Sequence, residues 1–156
     1  MTELTELRKL LVRIAKEIKG FLKENNLMEE VDLLCSVPGI GFTVAITLLS
    51  ELVDPVRFED LDHLASFVGL VPCITSSSDK EKRHGINMQH NKFLRKMLIE
   101  SSWVAIRKDP ALTHSYNDYI KRMSKQEAII RIAKKLLSRI NYVWKNKKPY
   151  VTSVVK

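Results

Sequence analysis

The chain is poor in several residue types, and each shortage excludes something. Two cysteines, Cys35 and Cys73, stand far apart in 156 residues. A disulfide framework is therefore not expected, and plain thiols suit a reducing cytoplasm. Neither a CxxC nor an HxxxH spacing occurs, so no zinc site and no metal ligand set is expected. Five glycines and five prolines are too few for a β-sandwich or a disordered linker. Aromatics make up only 7%. Uninterrupted apolar runs never approach the roughly 18 residues of a membrane span. The charged N-terminus has no apolar signal core, so no export and no membrane partner is expected.

What is present is charge, unevenly placed. The net formal charge is +8. Residues 1–79 hold 7 Lys/Arg against 13 Asp/Glu, while residues 80–156 hold 19 against 5, leaving the second half at +14. Such an excess matches a polyphosphate surface. It also matches a merely solvated basic helical surface, and charge alone does not separate the two.

Hydrophobic spacing is helical throughout, and the expected class is all-α. Thr2 to about Glu24 carries Leu4, Leu7, Leu11, Ile14, Ile18 and Phe21 at alternating steps of three and four, an a/d seam. That seam calls for a facing helix, either on this chain's own body or in a second copy. Shorter helices are expected over 28–37, 42–53 and 58–68. Asn91 to about Lys108 is a long one, with Phe93, Leu94, Met97, Leu98, Trp103, Val104 and Ile106 facing inward. Asp109-Pro110 breaks it; Ser115–Met123 and Lys125 to about Asn146 follow. The expected organisation is a linker or coiled-coil helix over 1–27, a compact helical domain over 28–150 and a tail over 151–156. Within the domain lie a hairpin at about 29–53, a polar loop at 73–85 and basic helices over 91–146.

Two stretches carry chemistry. The first is Pro38-Gly39-Ile40-Gly41 between two helices, the helix-hairpin-helix pattern. Glycines there permit positive φ and remove Cβ atoms, so backbone amides and the start of the next helix can approach a DNA phosphate. Thr43 is the nearby polar side chain, and Ala45 allows close helix crossing. The alternative is a tight turn without ligand. The second stretch is CITSSSDKEKRHG, residues 73–85. A serine among cations can attack a phosphodiester, because Lys and Arg stabilise the charge of the transition state. Ser76 and Ser77 are the candidates, with Lys80, Lys82, Arg83, Lys92 and Arg95 near in sequence. Flexible, soluble loops have the same composition. Arg131, Lys134, Lys135 and Arg139 form a candidate backbone-contacting face on the last helix, or a solvated one. His84 is expected to be an exposed loop residue, the alternative being an acid/base for the serine or a phosphate contact; His63 is expected to be a half-buried structural residue and His114 a turn or capping residue. Trp103 and Trp144 are expected in the core.

The order of segments adds to this. LLCSVPGIGFTVAITLLSEL, RFEDLDHLASFVGLVP, SSSDK, INMQHNKFLRKMLI and IAKKLLSRINYVWKNKKPY together resemble the C-terminal domain of IS110/IS116/IS902-family transposases, from about Leu33 to Tyr150. The first helix resembles the linker helix ahead of that domain. The resemblance implies a DNA recombinase whose C-terminal serine becomes covalently linked to DNA. It implies magnesium held by an N-terminal RuvC-like domain, with no cofactor in this chain, and double-stranded DNA as partner. A structured guide RNA serves part of the family, and a homo-oligomer through the first helix is expected. The location implied is a prokaryotic cytoplasm, at the nucleoid. Laid on the family motif, Gly69, Leu70, Val71, Pro72, Ile86, Leu94 and Arg95 match, and the nucleophile falls on Ser77, with Ser76 the near alternative. Ser78 stands for the usual glycine, Asn87-Met88 for Thr-Lys and His90 for a later glycine. Those departures fit either a divergent working transposase or a decaying copy. No acidic β-rich region precedes the first helix, so the chain reads as the second half of a transposase, inactive alone. The alternative is a non-catalytic helix-hairpin-helix module.

Overall fold

The computed structural model describes residues 2–71, 73–74, 83–84 and 91–152. Seven α-helices account for most of them: α1 Thr2–Glu24, α2 Met28–Cys35, α3 Phe42–Leu52, α4 Leu61–Val68, α5 Lys92–Lys108, α6 Pro110–Ile120 and α7 Lys125–Asn146. A 3-10 turn, Pro55–Arg57, precedes α4. The all-α class holds. A single small ladder joins it, in which β1 (Cys73–Ile74) pairs antiparallel with β2 (Arg83–His84), Cys73 opposite His84. A two-residue ladder leaves no periodic trace in the sequence, because alternation needs about four residues to show.

Local capping chemistry explains the helix starts. Ser124 accepts from the Glu127 amide and Glu127 reaches back to Ser124, a complete capping box for α7. Asn91 caps α5 and Asp60 caps α4, which places the start of α4 at Leu61 rather than Phe58. Asp109 caps α6 through the Ala111 and Leu112 amides, with Pro110 at the first helical position. The expectation of a helix starting at Ser115 is therefore corrected. Asp109-Pro110 ends one helix and at once begins the next, so His114 lies inside α6 rather than in a turn.

The centre of the fold is α7. Ile132, Ala133, Leu136, Leu137 and Ile140 are buried along it, and it packs on α2, α4, α5 and α6. Each buried leucine or isoleucine among these is worth about 1.5–3 kcal/mol relative to exposure. Trp144 is buried, whereas Trp103 is half-buried against Tyr116, edge to face at 5.7 Å. On α5 the inward positions are Leu94, Leu98, Ser101, Ser102 and Ala105; Phe93 and Val104 face solvent, contrary to the sequence expectation. Polar Ser102 is tolerated inside because its hydroxyl donates to the Leu98 carbonyl at 2.6 Å.

Little of α1 meets this body. Leu22 is buried and Ile18 half-buried, but Leu4, Leu7, Leu11, Ile14 and Phe21 are 42–67% exposed. The a/d seam has no facing helix within the chain among the described residues. No described helix is long and apolar enough to cross a membrane.

Candidate nucleic-acid interface

The turn between α2 and α3 is built from backbone hydrogen bonds. The Val37 amide donates to Leu34 O at 3.1 Å and the Ile40 amide to Val37 O at 3.0 Å. Gly39 has φ 89°, which favours glycine. A second reason is steric. A Cβ on Gly39 would stand 2.4 Å from the Ser101 carbonyl oxygen and 3.0 Å from the Ala105 amide and Cβ. The space freed at Gly39 is thus filled by α5, and this glycine seats the turn on the protein itself. Gly41 is different. It is exposed, its φ of −100° is ordinary, and nothing lies within 4 Å of where its Cβ would be.

Gly41 is also the N-cap of α3 and supplies no side-chain acceptor. Among the described residues, the first amides of α3 have no protein acceptor. Donors without a protein acceptor at the positive end of a helix suit an anion. Thr43 is exposed in that first turn. Lys19 brings a cation beside it, its ammonium 5.1 Å from the Phe42 ring centre. Sequence reasoning missed Lys19, since only packing of α1 near its C-terminal end brings it there. Pro38 and Ile40 are half-buried and buried, and hold the turn rather than face solvent.

Ser76, Ser77, Lys80 and Lys82 lie outside the described residues, as do Pro72 and Ile86; of Arg83 and His84 the backbone alone is described. Pairing of β1 with β2 brings together the two ends of the segment that carries the serines. The α5 start is pinned to α4 and α3: the Asn91 amide donates to Phe67 O at 2.9 Å and its Nδ2 to Glu51 Oε2 at 2.6 Å. Lys92 is exposed and Arg95 half-buried, and with Lys96, Ile99 and Glu100 they line a shallow cleft of about 260 Å³. Burial pushes the Arg95 pKa down from its ordinary value, yet a guanidinium stays charged at neutral pH.

The cations of α7 do not share one free face. Lys134 pairs with Asp62 at 2.7 Å. Lys135 donates to Ser115 Oγ at 2.9 Å, and it and Arg131 lie over the Tyr119 ring at 5.4 and 5.7 Å. Arg139 turns inward to Asp109, whose carboxylate is fully buried, and lies 5.2 Å from the Tyr150 ring centre. The Tyr150 hydroxyl donates to the same carboxylate at 2.5 Å, and the Tyr150 amide donates to Ser36 Oγ at 2.8 Å. Burial, then the hydrogen bond to Asp109, raises the Tyr150 pKa to about 12. Arg139 thus helps tie the chain's C-terminal stretch to the end of α2. His63 is exposed beside Glu59 rather than half-buried, and His114 faces Asp118 at 3.3 Å.

A sequence model of the Transposase IS116/IS110/IS902 family matches residues 31–117, more than half of the chain. The chain belongs to the IS116/IS110/IS902 transposase family. The matched span of this transposase-family chain runs from α2 to α6 and includes both the Pro38–Gly41 turn and the serine segment. Among curated proteins, the chain is 28% identical over 116 residues to the transposase for insertion sequence element IS1111A of Coxiella burnetii, covering 74% of this chain and 31% of that protein. It is 31% identical over 110 residues to an uncharacterised 43.6 kDa protein of insertion element IS110 from Streptomyces coelicolor, covering 68% of this chain and 26% of that one. It is 30% identical over 131 residues to the pilin gene-inverting protein of Moraxella bovis, covering 80% and 39%. The chain therefore spans about a quarter to two fifths of these relatives' lengths.

Proposed function

We propose that this chain is the DNA-gripping, serine-bearing C-terminal part of an IS110-family recombinase. What carries the reading is the family match over residues 31–117, a span that holds an uncapped helix start and a cation-flanked serine segment in one unit. The α2–turn–α3 unit acts as a helix-hairpin-helix: the α3 amides and Gly41 meet a phosphate, with Thr43 and Lys19 beside them. Such a grip positions a duplex without reading bases. Ser77, or Ser76 next to it, is the nucleophile. Its hydroxyl oxygen bonds to phosphorus as the bond to the leaving sugar oxygen breaks, and that oxygen takes up the proton. Lys80, Lys82, Arg83, Lys92 and Arg95 stabilise the added negative charge.

Magnesium, which the family implies, belongs elsewhere in this scheme. No cluster of three His, Cys, Asp or Glu side chains among the described residues could hold a metal ion, and no step here runs through one. A RuvC-like portion would supply it. A structured RNA is a further proposed partner, and a second copy of the chain covers the α1 seam.

The test combines this chain with a RuvC-like portion of a relative, element-end DNA and any cognate RNA. A covalent protein–DNA adduct is expected and should vanish in Ser77→Ala. An adduct that persists there but vanishes in Ser76→Ala moves the nucleophile by one residue. Persistence in both refutes the assignment. The departures at Ser78, Asn87, Met88 and His90 favour one second reading, a non-catalytic DNA-binding module. Salt-sensitive duplex binding without any adduct would support it.

A further inference from the structure

From the geometry of the α5–α6 corner we infer a second phosphate-binding groove for duplex DNA, lined by residues other than those of the α3 start and the serine segment. This inference rests on the DNA-gripping reading above. The groove has a volume of about 440 Å³ and is lined by Arg107, Lys108, Pro110, Thr113, His114 and Asn117. Among the described residues no carboxylate lines it. Arg107 and Lys108 are exposed and have no ion pair or hydrogen bond among the described residues, whereas Lys134 and Arg139 on α7 are taken up by Asp62 and Asp109. Asp118, which faces the groove's His114 at 3.3 Å, is also held by Lys121 at 2.9 Å.

Two cations in the last turn of α5 complement that helix's dipole, which accounts for their sign. It does not account for the concavity, nor for the amide and imidazole that α6 adds from the opposite wall. The buried Asp109 makes this corner rigid. It caps α6 and holds Arg139, so the two walls meet at a fixed angle. A groove with two free cations, an amide and an imidazole fits phosphate oxygens, which carry most protein–DNA hydrogen bonds.

Position favours a duplex over a small anion. Gly39 rests on Ser101 and Ala105 of α5. At 100° per residue Lys108 returns to within about 20° of Ser101, on the same helix face, and about 4.5 Å along the axis from Ala105. Lys108 of the groove and the foot of the α2–α3 turn therefore share one face of α5. In this proposal a backbone gripped by the α3 start follows that face, and neighbouring phosphates meet Lys108 and Arg107.

The test is binding of a labelled random-sequence duplex by the whole chain across a salt series. Arg107→Ala/Lys108→Ala should weaken binding about tenfold at low salt. It should also reduce the slope of log affinity against log salt by about 1.8, the release expected for two phosphate contacts. Thermal stability should fall by no more than a few degrees, the loss expected from two exposed cations at a helix C-terminus. Lys9→Ala/Lys16→Ala removes the same charge from α1 and should leave the slope near that of the wild type. If the wild-type chain binds steeply and the groove variant keeps its slope, the groove is overturned while the DNA reading stands. An equal loss in the α1 variant overturns it too, by making the effect one of net charge. A loss confined to a structured RNA overturns it as a duplex site. If the wild-type chain fails to bind duplex at all, the DNA reading itself falls.

Discussion

Gly39 and Gly41 look equivalent in the sequence but differ in structure, and that difference is open to a direct measurement. Alanine at 39 must hold φ near 89°, a left-handed value that costs a residue with a Cβ about 1–2 kcal/mol. Its Cβ would also sit 2.4 Å from the Ser101 carbonyl oxygen, a backbone atom in the middle of α5 that cannot swing aside. Overpacking of that kind costs about 1–3 kcal/mol. Together Gly39→Ala should lose roughly 2–5 kcal/mol, a fall in Tm of several degrees or more for a chain of this size. Gly41→Ala meets open space at a permitted φ, and its only penalty is a poorer N-cap. That should stay within about 1 kcal/mol. Chemical denaturation of both variants, with the slope of the transition checked against wild type, decides the matter. A Gly39→Ala chain as stable as wild type would refute the packing account, and with it the claim that this glycine serves α5 rather than a ligand. Because Gly41→Ala stays folded, any change it causes in duplex binding reports on the α3 start itself.

Three other outcomes are expected. Asp109→Ala should destabilise the chain by about 3–5 kcal/mol in denaturant titration, because it strands Arg139 and uncaps α6; Asp109→Asn, which keeps the cap acceptor, should lose less. Tyr150 has its pKa raised in the folded state, so its contribution is complete below about pH 10 and fades as pH climbs to about 12. The stability gap between wild type and Tyr150→Phe, followed by circular dichroism, should close over that window, and a gap that persists above it would contradict the assignment. Deleting residues 1–26 should lower the solution mass to that of a monomer by light scattering; a full-length chain that is already monomeric would show that no second copy covers the α1 seam.

Helix identity was largely legible in the chain, because periodicity and caps are local. Thr2–Glu24, Met28–Cys35, Phe42–Leu52 and Lys125–Asn146 fall where apolar spacing and stop signals place them. The errors were local as well. Phe58 yielded to Asp60 as the start of α4, and Ser115 to Pro110 as the start of α6, because a capping side chain outweighs an apolar pattern at a helix end. The family was legible too, as ordered short motifs survive without any knowledge of packing. Contacts between distant residues decided the rest. Arg139 and Asp109 are 30 positions apart, Lys134 and Asp62 are 72, and Gly39 meets α5 more than 60 positions away. A charge in the sequence is a cation available to any partner. Whether it faces solvent or is already neutralised depends on which carboxylate the fold brings within a few ångströms, and pattern along the chain holds no record of that. The same limit hid Lys19, Arg107 and Lys108, ordinary helix-surface cations until packing set them beside the α3 start and the α5–α6 corner.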